Sequence, residues 1–186
     1  MSRPTQEGQF ERLDEDVVFR GRIIRAGHLT IRAPDGHEYQ RDYMHHPGAV
    51  GVVPMTDAGT VLLVRQYRPV VDRWLLEIPA GTRDVEGEDT LLTAHRELAE
   101  EVGMTAGSME HLNTFYNSVG VTDEETVLYL ARNLTPTSLD RQGVEEQLMT
   151  VEEFALSDVD RLIREGVVAD AKTILGLTLT VSLAAS

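Results

Sequence analysis

One stretch limits the architecture of this chain more than any other. Glu77-Ile78 ends an apolar segment, Pro79-Ala80-Gly81 bends it, and a Gly- and acid-rich loop leads into a segment bearing Glu97, Glu100 and Glu101. Taken as a helix at about 100° per residue, Leu91, Ala94, Leu98 and Val102 fall on one apolar face, which must pack against a sheet. Glu97 and Glu101 stack one turn apart along the border of that face, while Glu100 and Arg96 turn away from it. Like charges four residues apart destabilise a helix by a few tenths of a kcal/mol, and more beside a protein wall, where one carboxylate should keep its proton. Arg96 is expected to neutralise Glu100, its neighbour around the helix. Glu97 and Glu101 then remain as an oxygen-rich pair suited to a hard divalent cation. Mg²⁺ in particular takes one or two carboxylates together with phosphate oxygens of a substrate.

The rest of the chain reads as strands and short helices. Val17-Val18-Phe19, Ile23-Ile24, Leu29-Thr30-Ile31 and Tyr39 to Tyr43 read as short strands of a meander, with a turn at Pro34-Asp35-Gly36. Pro47-Gly48 marks a boundary between this small sheet, residues 1–47, and a main domain, residues 48–186. Ala49–Pro54 and Val61–Gln66 are apolar strands around Asp57-Ala58-Gly59, and Trp74–Ile78 is another. The acidic helix is expected from Asp89 to Val102 with Gly103 as its stop, followed by strands near 112–116 and 126–131. Ser157 is expected to cap a helix ending before Gly166, and Asp170 to cap a last helix to about Leu183. His45 and His46, adjacent in a strand, are expected on opposite faces.

Composition excludes several classes. With 186 residues, 41% of them hydrophobic, the chain can bury a core. It contains no cysteine, so thiol nucleophiles, disulfide scaffolds and Cys-ligated zinc are excluded. A net charge of −14 opposes nucleic-acid binding. No apolar run suits a membrane span, and the first residues lack the apolar core of a signal peptide, so a cytoplasmic location is expected.

Gly81, Glu88, Arg96, Glu97, Leu98, Glu100, Glu101, Gly103 and Met104 together resemble the Nudix box, G-x5-E-x7-R-E-U-x-E-E-x-G-U with U aliphatic, except that six residues rather than five separate Gly81 from Glu88. Leu63 to Arg68, Glu77 to Gly81, Arg41 to Val50, Ser118 to Glu124 and Asp170 to Thr173 are similar to the ADP-ribose pyrophosphatase branch of that family. The resemblance implies an α/β/α sandwich preceded by a small antiparallel sheet. It also implies a homodimer whose N-terminal sheets are exchanged, and Mg²⁺-dependent cleavage of ADP-ribose to AMP and ribose 5-phosphate. Two or three Mg²⁺, or Mn²⁺, would serve each site. Glu97 and Glu101 would bridge the metals, Glu100 and the Ala80 carbonyl would add ligands, and Arg96 would orient the glutamates. Glu145, or its neighbour Glu146, would position or deprotonate the water. Arg68, Glu77 and Arg41 would contact substrate, and Phe19 or Tyr43 would stack on a base. Val119 stands where that branch usually carries proline, which leaves open another nucleotide sugar such as GDP-mannose. A nucleotide-sensing module without turnover is a further alternative, opposed by the intact Arg96 and glutamate set.

Overall fold

A computed structural model describes residues 9–139 and 146–185. It divides the chain into two compact units. The first runs to Pro47 and also takes in Tyr116–Glu125, and the second holds Gly48–Phe115 and everything from Thr126 onward.

The first unit is built on a three-stranded antiparallel sheet, β1 (Glu11–Arg20), β2 (Arg25–Arg32) and β3 (Glu38–His45), in that order. The apolar pair Ile23-Ile24 is not a strand, contrary to expectation. It lies in the β1–β2 turn, closed by a hydrogen bond from the Gly21 N–H to the Ile24 carbonyl at 2.8 Å. The Tyr43 hydroxyl donates to Glu15, and Arg12 lies over its ring. The 116–125 segment joins this unit through Met44, whose N–H donates to Val121 O at 2.7 Å. His45 and His46 engage two successive acidic residues. His45 Nδ1 lies 2.5 Å from Asp123, and the His46 N–H donates to the same carboxylate while its ring faces Glu124. His46 falls just past the end of β3.

The second unit holds two sheets. β4 (Ala49–Pro54), β7 (Ala80–Thr82), β8 (Met104–Tyr116) and β9 (Glu125–Pro136) form one, in the order β7-β4-β9-β8, with β4 and β9 parallel. β5 (Thr60–Arg68), β6 (Arg73–Glu77) and β10 (Thr150–Ala155) form the other, in the order β10-β5-β6. Strand alternation explains the layering. Val50 and Val52, Leu62 and Val64, and Val127 and Tyr129 share one core with Ala94, Leu98 and Val102. Val53, Val61, Leu63, Leu128 and Leu130 point the other way, into a second core with Val159, Leu162 and Leu177. Helices therefore cover both faces, as the sandwich reading requires.

Helix α1 (Thr90–Glu97) starts where Asp89 accepts the Leu91 N–H at 2.8 Å. The acidic segment does not continue as regular α-helix. Leu98–Val102 is a π turn, ended by Gly103 in the left-handed conformation at φ 72°, where a side chain would be strained. Ser157 caps nothing. It sits inside a 3-10 turn, Leu156–Asp158, that runs directly into α2 (Val159–Arg164). α3 (Ala171–Ala184) is capped as expected by Asp170, which accepts the Thr173 N–H at 3.0 Å.

Candidate active site

The site is assembled where β6 leaves one sheet and the chain enters the other as β7. Ile78 and Pro79 make that crossing. Beyond it, the Ala80 N–H donates to Glu101 Oε2 at 3.0 Å. Gly81 has no side chain for a steric reason: a methyl group there would overlap the Glu97 carboxylate. The bend and the acidic helix thus interlock through Ala80–Glu101 and Gly81–Glu97, four positions singled out by the sequence.

Arg96 is shared more widely than expected. Nη1 donates to Glu97 Oε1 at 2.7 Å and Glu100 Oε2 at 3.2 Å, and Nη2 to Glu88 Oε2 at 3.3 Å. The expectation that Arg96 serves Glu100 and leaves Glu97 without a basic partner is corrected. A fork with two terminal nitrogens spans adjacent carboxylates that a helical wheel places apart. Arg96 Nε is buried with no hydrogen-bond partner among the described residues. The Thr93 hydroxyl donates to Glu88 and, with Arg96, holds its carboxyl below the usual range.

One guanidinium divided among three carboxylates leaves negative charge in excess. Glu97 is 7% exposed and Glu101 3%. Burial pushes Glu97 up to about 7 against the pull of Arg96, and the charges of Glu100 and Glu146 add to the rise. Burial pushes Glu101 up to about 8, aided by the charge of Glu97 and opposed by the Ala80 N–H. Glu146 adds to the repulsion on both, which brings it electrically into the site. Glu145 lies outside the described residues.

Arg68 and Glu77 form a second group at the same bend. Arg68 Nε and Nη2 donate to the two oxygens of Glu77, each at 2.7 Å. Lys172 also donates to Glu77 Oε2, and Nζ lies 3.0 Å from Asp170. Burial alone would raise the Glu77 carboxyl, but the Arg68 fork and Lys172 hold it at about 2. Arg41 belongs to the first unit, where its guanidinium lies over the Tyr39 ring at 4.5 Å and donates to Gln40 O. Phe19, in the same unit, is exposed.

The donor set around Gly81 suits a hard divalent ion. It offers two buried carboxylates that hold protons near neutrality for want of positive charge, backed by a glycine that leaves room for one of them. Among the described residues no three acidic or histidine side chains already close on one point, so a complete shell needs a further donor beside Glu97 and Glu101. Sequence reasoning placed Lys172 and Thr173 in a family-like tail, Asp170 to Thr173, but gave neither a role. The signal was available, since Lys172 is the single lysine among 17 basic side chains.

A mixed α/β/α sandwich with a buried glutamate pair at the bend between its sheets is the class of structure the fold and site define. Residues 45–175 match the family described as NUDIX domain, and the chain belongs to that family of hydrolases. Hydrolases of this family generally use divalent metal ions, typically Mg²⁺. The chain is 36% identical over 159 residues to an ADP-ribose pyrophosphatase of Bacillus subtilis, covering 86% of this chain and 85% of that one. It is 34% identical over 171 residues to an ADP-ribose pyrophosphatase of Mycobacterium tuberculosis, covering 92% and 83%. A crystal structure of an ADP compounds hydrolase superposes with a TM-score of 0.81 at 23% identity, over 98% of this chain and 96% of the other, which establishes the shared fold. No helix among the described residues is long and apolar enough to cross a membrane.

Proposed function

We propose that this Nudix hydrolase cleaves the diphosphate bond of ADP-ribose to AMP and ribose 5-phosphate. The observation that carries the reading is the buried Glu97–Glu101 pair beside Gly81, short of positive charge, in a chain closely related to ADP-ribose pyrophosphatases. Glu97 and Glu101 would hold two or three Mg²⁺ or Mn²⁺ per site, joined by Glu100 and the Ala80 carbonyl. Bound divalent ions would neutralise the diphosphate oxygens and lower the pKa of an attacking water. Arg96 holds Glu97 and Glu100 in place for that binding. Arg68, oriented by Glu77, would grip a phosphate or the terminal ribose, since a guanidinium fork suits such anions. Glu146 or Glu145 would take the proton of the attacking water. The electrostatic reach of Glu146 to Glu97 and Glu101 supports a base drawn from this pair of neighbours.

The exposed Val18 and Phe19 of the N-terminal sheet, and Phe10 just before it, support a role for residues 1–47 as a subdomain that pairs with a second copy. Arg41, Phe19 and Tyr43 would then contact the adenine side, and the cytoplasm is the compartment that fits this substrate. A second reading rests on Val119, 79% exposed, where the ADP-ribose branch usually has proline. It makes the substrate another nucleotide sugar such as GDP-mannose. The test is product analysis with Mg²⁺ on ADP-ribose, GDP-mannose and NADH in parallel. AMP and ribose 5-phosphate from ADP-ribose, at the highest kcat/KM of the panel, supports the proposal. Faster cleavage of GDP-mannose moves it to the second reading, and binding without cleavage of any of them leaves a sensor.

A further inference from the structure

Lys172 is the only lysine of the chain, and it occupies an unusual place. It lies in the first turn of α3, where the helix dipole disfavours a cation, and only 14% of its side chain is exposed. Local helix physics therefore does not explain it. Its partners do. Both oxygens of Glu77 are engaged by the planar fork of Arg68, and a compact ammonium can still reach one of them while touching Asp170. A second guanidinium is too broad and rigid for that wedge.

Thr173, the next residue, makes a second grip. Its hydroxyl donates to Asp170 Oδ2 at 2.6 Å and accepts the Ile78 N–H at 3.0 Å. Gly176 lets α3 come close enough for this, since a methyl group there would stand 2.9 Å from Val53 Cγ2. The first turn of α3 thus fastens Glu77 and Ile78, the residues at which the chain changes sheets. The next two are fastened from the other side. Pro79 O accepts the Val52 N–H at 3.0 Å, and the Ala80 N–H donates to Glu101.

We infer that Lys172 and Thr173 are positioning residues of the hydrolase centre: from α3 they fix the sheet-crossing segment Glu77–Ala80, and through it the aim of Arg68 and the seat of Glu97 and Glu101. This rests on the reading of Ala80, Glu97, Glu101 and Arg68 proposed above. Thr173 acts through the backbone at Ile78, toward the carboxylate pair. Lys172 acts through Glu77, toward Arg68. Their losses should therefore register differently.

The experiment compares Thr173→Val, Thr173→Ser, Lys172→Met and Lys172→Arg in the full-length protein, with circular dichroism as the check on folding. Mn²⁺ affinity is measured by electron paramagnetic resonance without substrate, and steady-state kinetics with ADP-ribose and saturating Mg²⁺. Thr173→Val is expected to weaken Mn²⁺ binding about tenfold, the scale on which outer-shell support acts, and Thr173→Ser to restore it. Lys172→Met is expected to raise KM about tenfold with little loss of kcat, as for lost uniform binding, and Lys172→Arg not to restore it. Wild-type Mn²⁺ affinity in folded Thr173→Val, or wild-type KM in folded Lys172→Met, overturns the inference, because a merely structural clamp would lower thermal stability and move neither. If Thr173→Val does not fold, Lys172→Met decides. A wild type that binds Mn²⁺ but leaves ADP-ribose intact sinks the substrate reading alone, and the Mn²⁺ comparison still judges the clamp.

Discussion

Glu77 and Glu101 are both buried glutamates of the same unit, 1% and 3% exposed, one at the start of the bend between the two sheets and the other hydrogen-bonded to it at Ala80. One carboxyl is held at about 2 and the other pushed to about 8. Burial acts on both in the same direction, so the difference comes from neighbours. Glu77 has a bidentate arginine and a lysine. Glu101 has a backbone N–H, a second glutamate beside it, and Arg68 acting on it only weakly. A buried acid surrounded by cations is finished as a structure. A buried acid surrounded by acids is finished only when a cation arrives.

The largest effect expected from breaking this contrast is on the unfinished side. Glu97→Gln should lower Mg²⁺-dependent ADP-ribose hydrolysis at least about 100-fold, the upper end of what outer-shell changes cost, in an assay with purified protein. The same variant should melt no lower than wild type without metal, because it removes a buried charge that repels its neighbours. On the finished side, Glu77→Gln leaves Arg68 and Lys172 facing a neutral amide. It should destabilise the fold by about 3 kcal/mol in urea titration, the low end for a broken buried pair because Arg68 is partly exposed. Gly81→Ala should come next. The added methyl must displace the Glu97 carboxylate, so Mn²⁺ affinity should fall roughly tenfold.

The smallest effect, and the one that most sharpens the contrast, is on pH dependence. Glu77 binds fewer protons folded than unfolded, so its contribution is present above about pH 4.5 and lost as pH falls toward 2. Glu97 and Glu101 bind more protons folded than unfolded between about 4.5 and 8, so metal-free stability should decline as pH rises through that window. Mg²⁺ should offset the decline most at the alkaline end, where it no longer competes with protons. Thermal melts from pH 5 to 8, with and without Mg²⁺, would show this as two curves that diverge with rising pH. Parallel curves would contradict it.

Much of the second unit was legible in the sequence because period-2 and period-3.6 patterns report burial directly. Val50, Val52 and Val53 sort to their two cores by alternation, and Leu91 to Val102 gave the helix and the place of Glu97 and Glu101 along its edge. Asp89, Gly103 and Asp170 are helix ends that chemistry at a single position decides. Other features depend on residues far apart. The π turn is invisible to a wheel drawn at constant pitch. The pairing of β10 with β5 unites Glu152 with Arg65 across 87 residues, and a strand with two adjacent glutamates gives little alternation to read. Ile23-Ile24 looked like a strand because both residues are β-branched, but the turn beginning at Gly21 overrode propensity. Lys172 meets Glu77 across 95 residues, and neither the family-like stretch Asp170 to Thr173 nor its uniqueness in the composition says which residue it meets.

The turn at Leu98–Val102 also bears on how this chain can change length. Wider coiling there delivers Glu101 and Val102 to the interior and Gly103 to its left-handed stop in a fixed count of residues, so deleting or adding one would rotate all three out of place. Between Gly81 and Glu88 the backbone is exposed from Asp84 to Gly87, and there the chain already carries one residue more than the family pattern. Insertions and deletions along this gene should therefore accumulate on one side of the helix and be purged from the other.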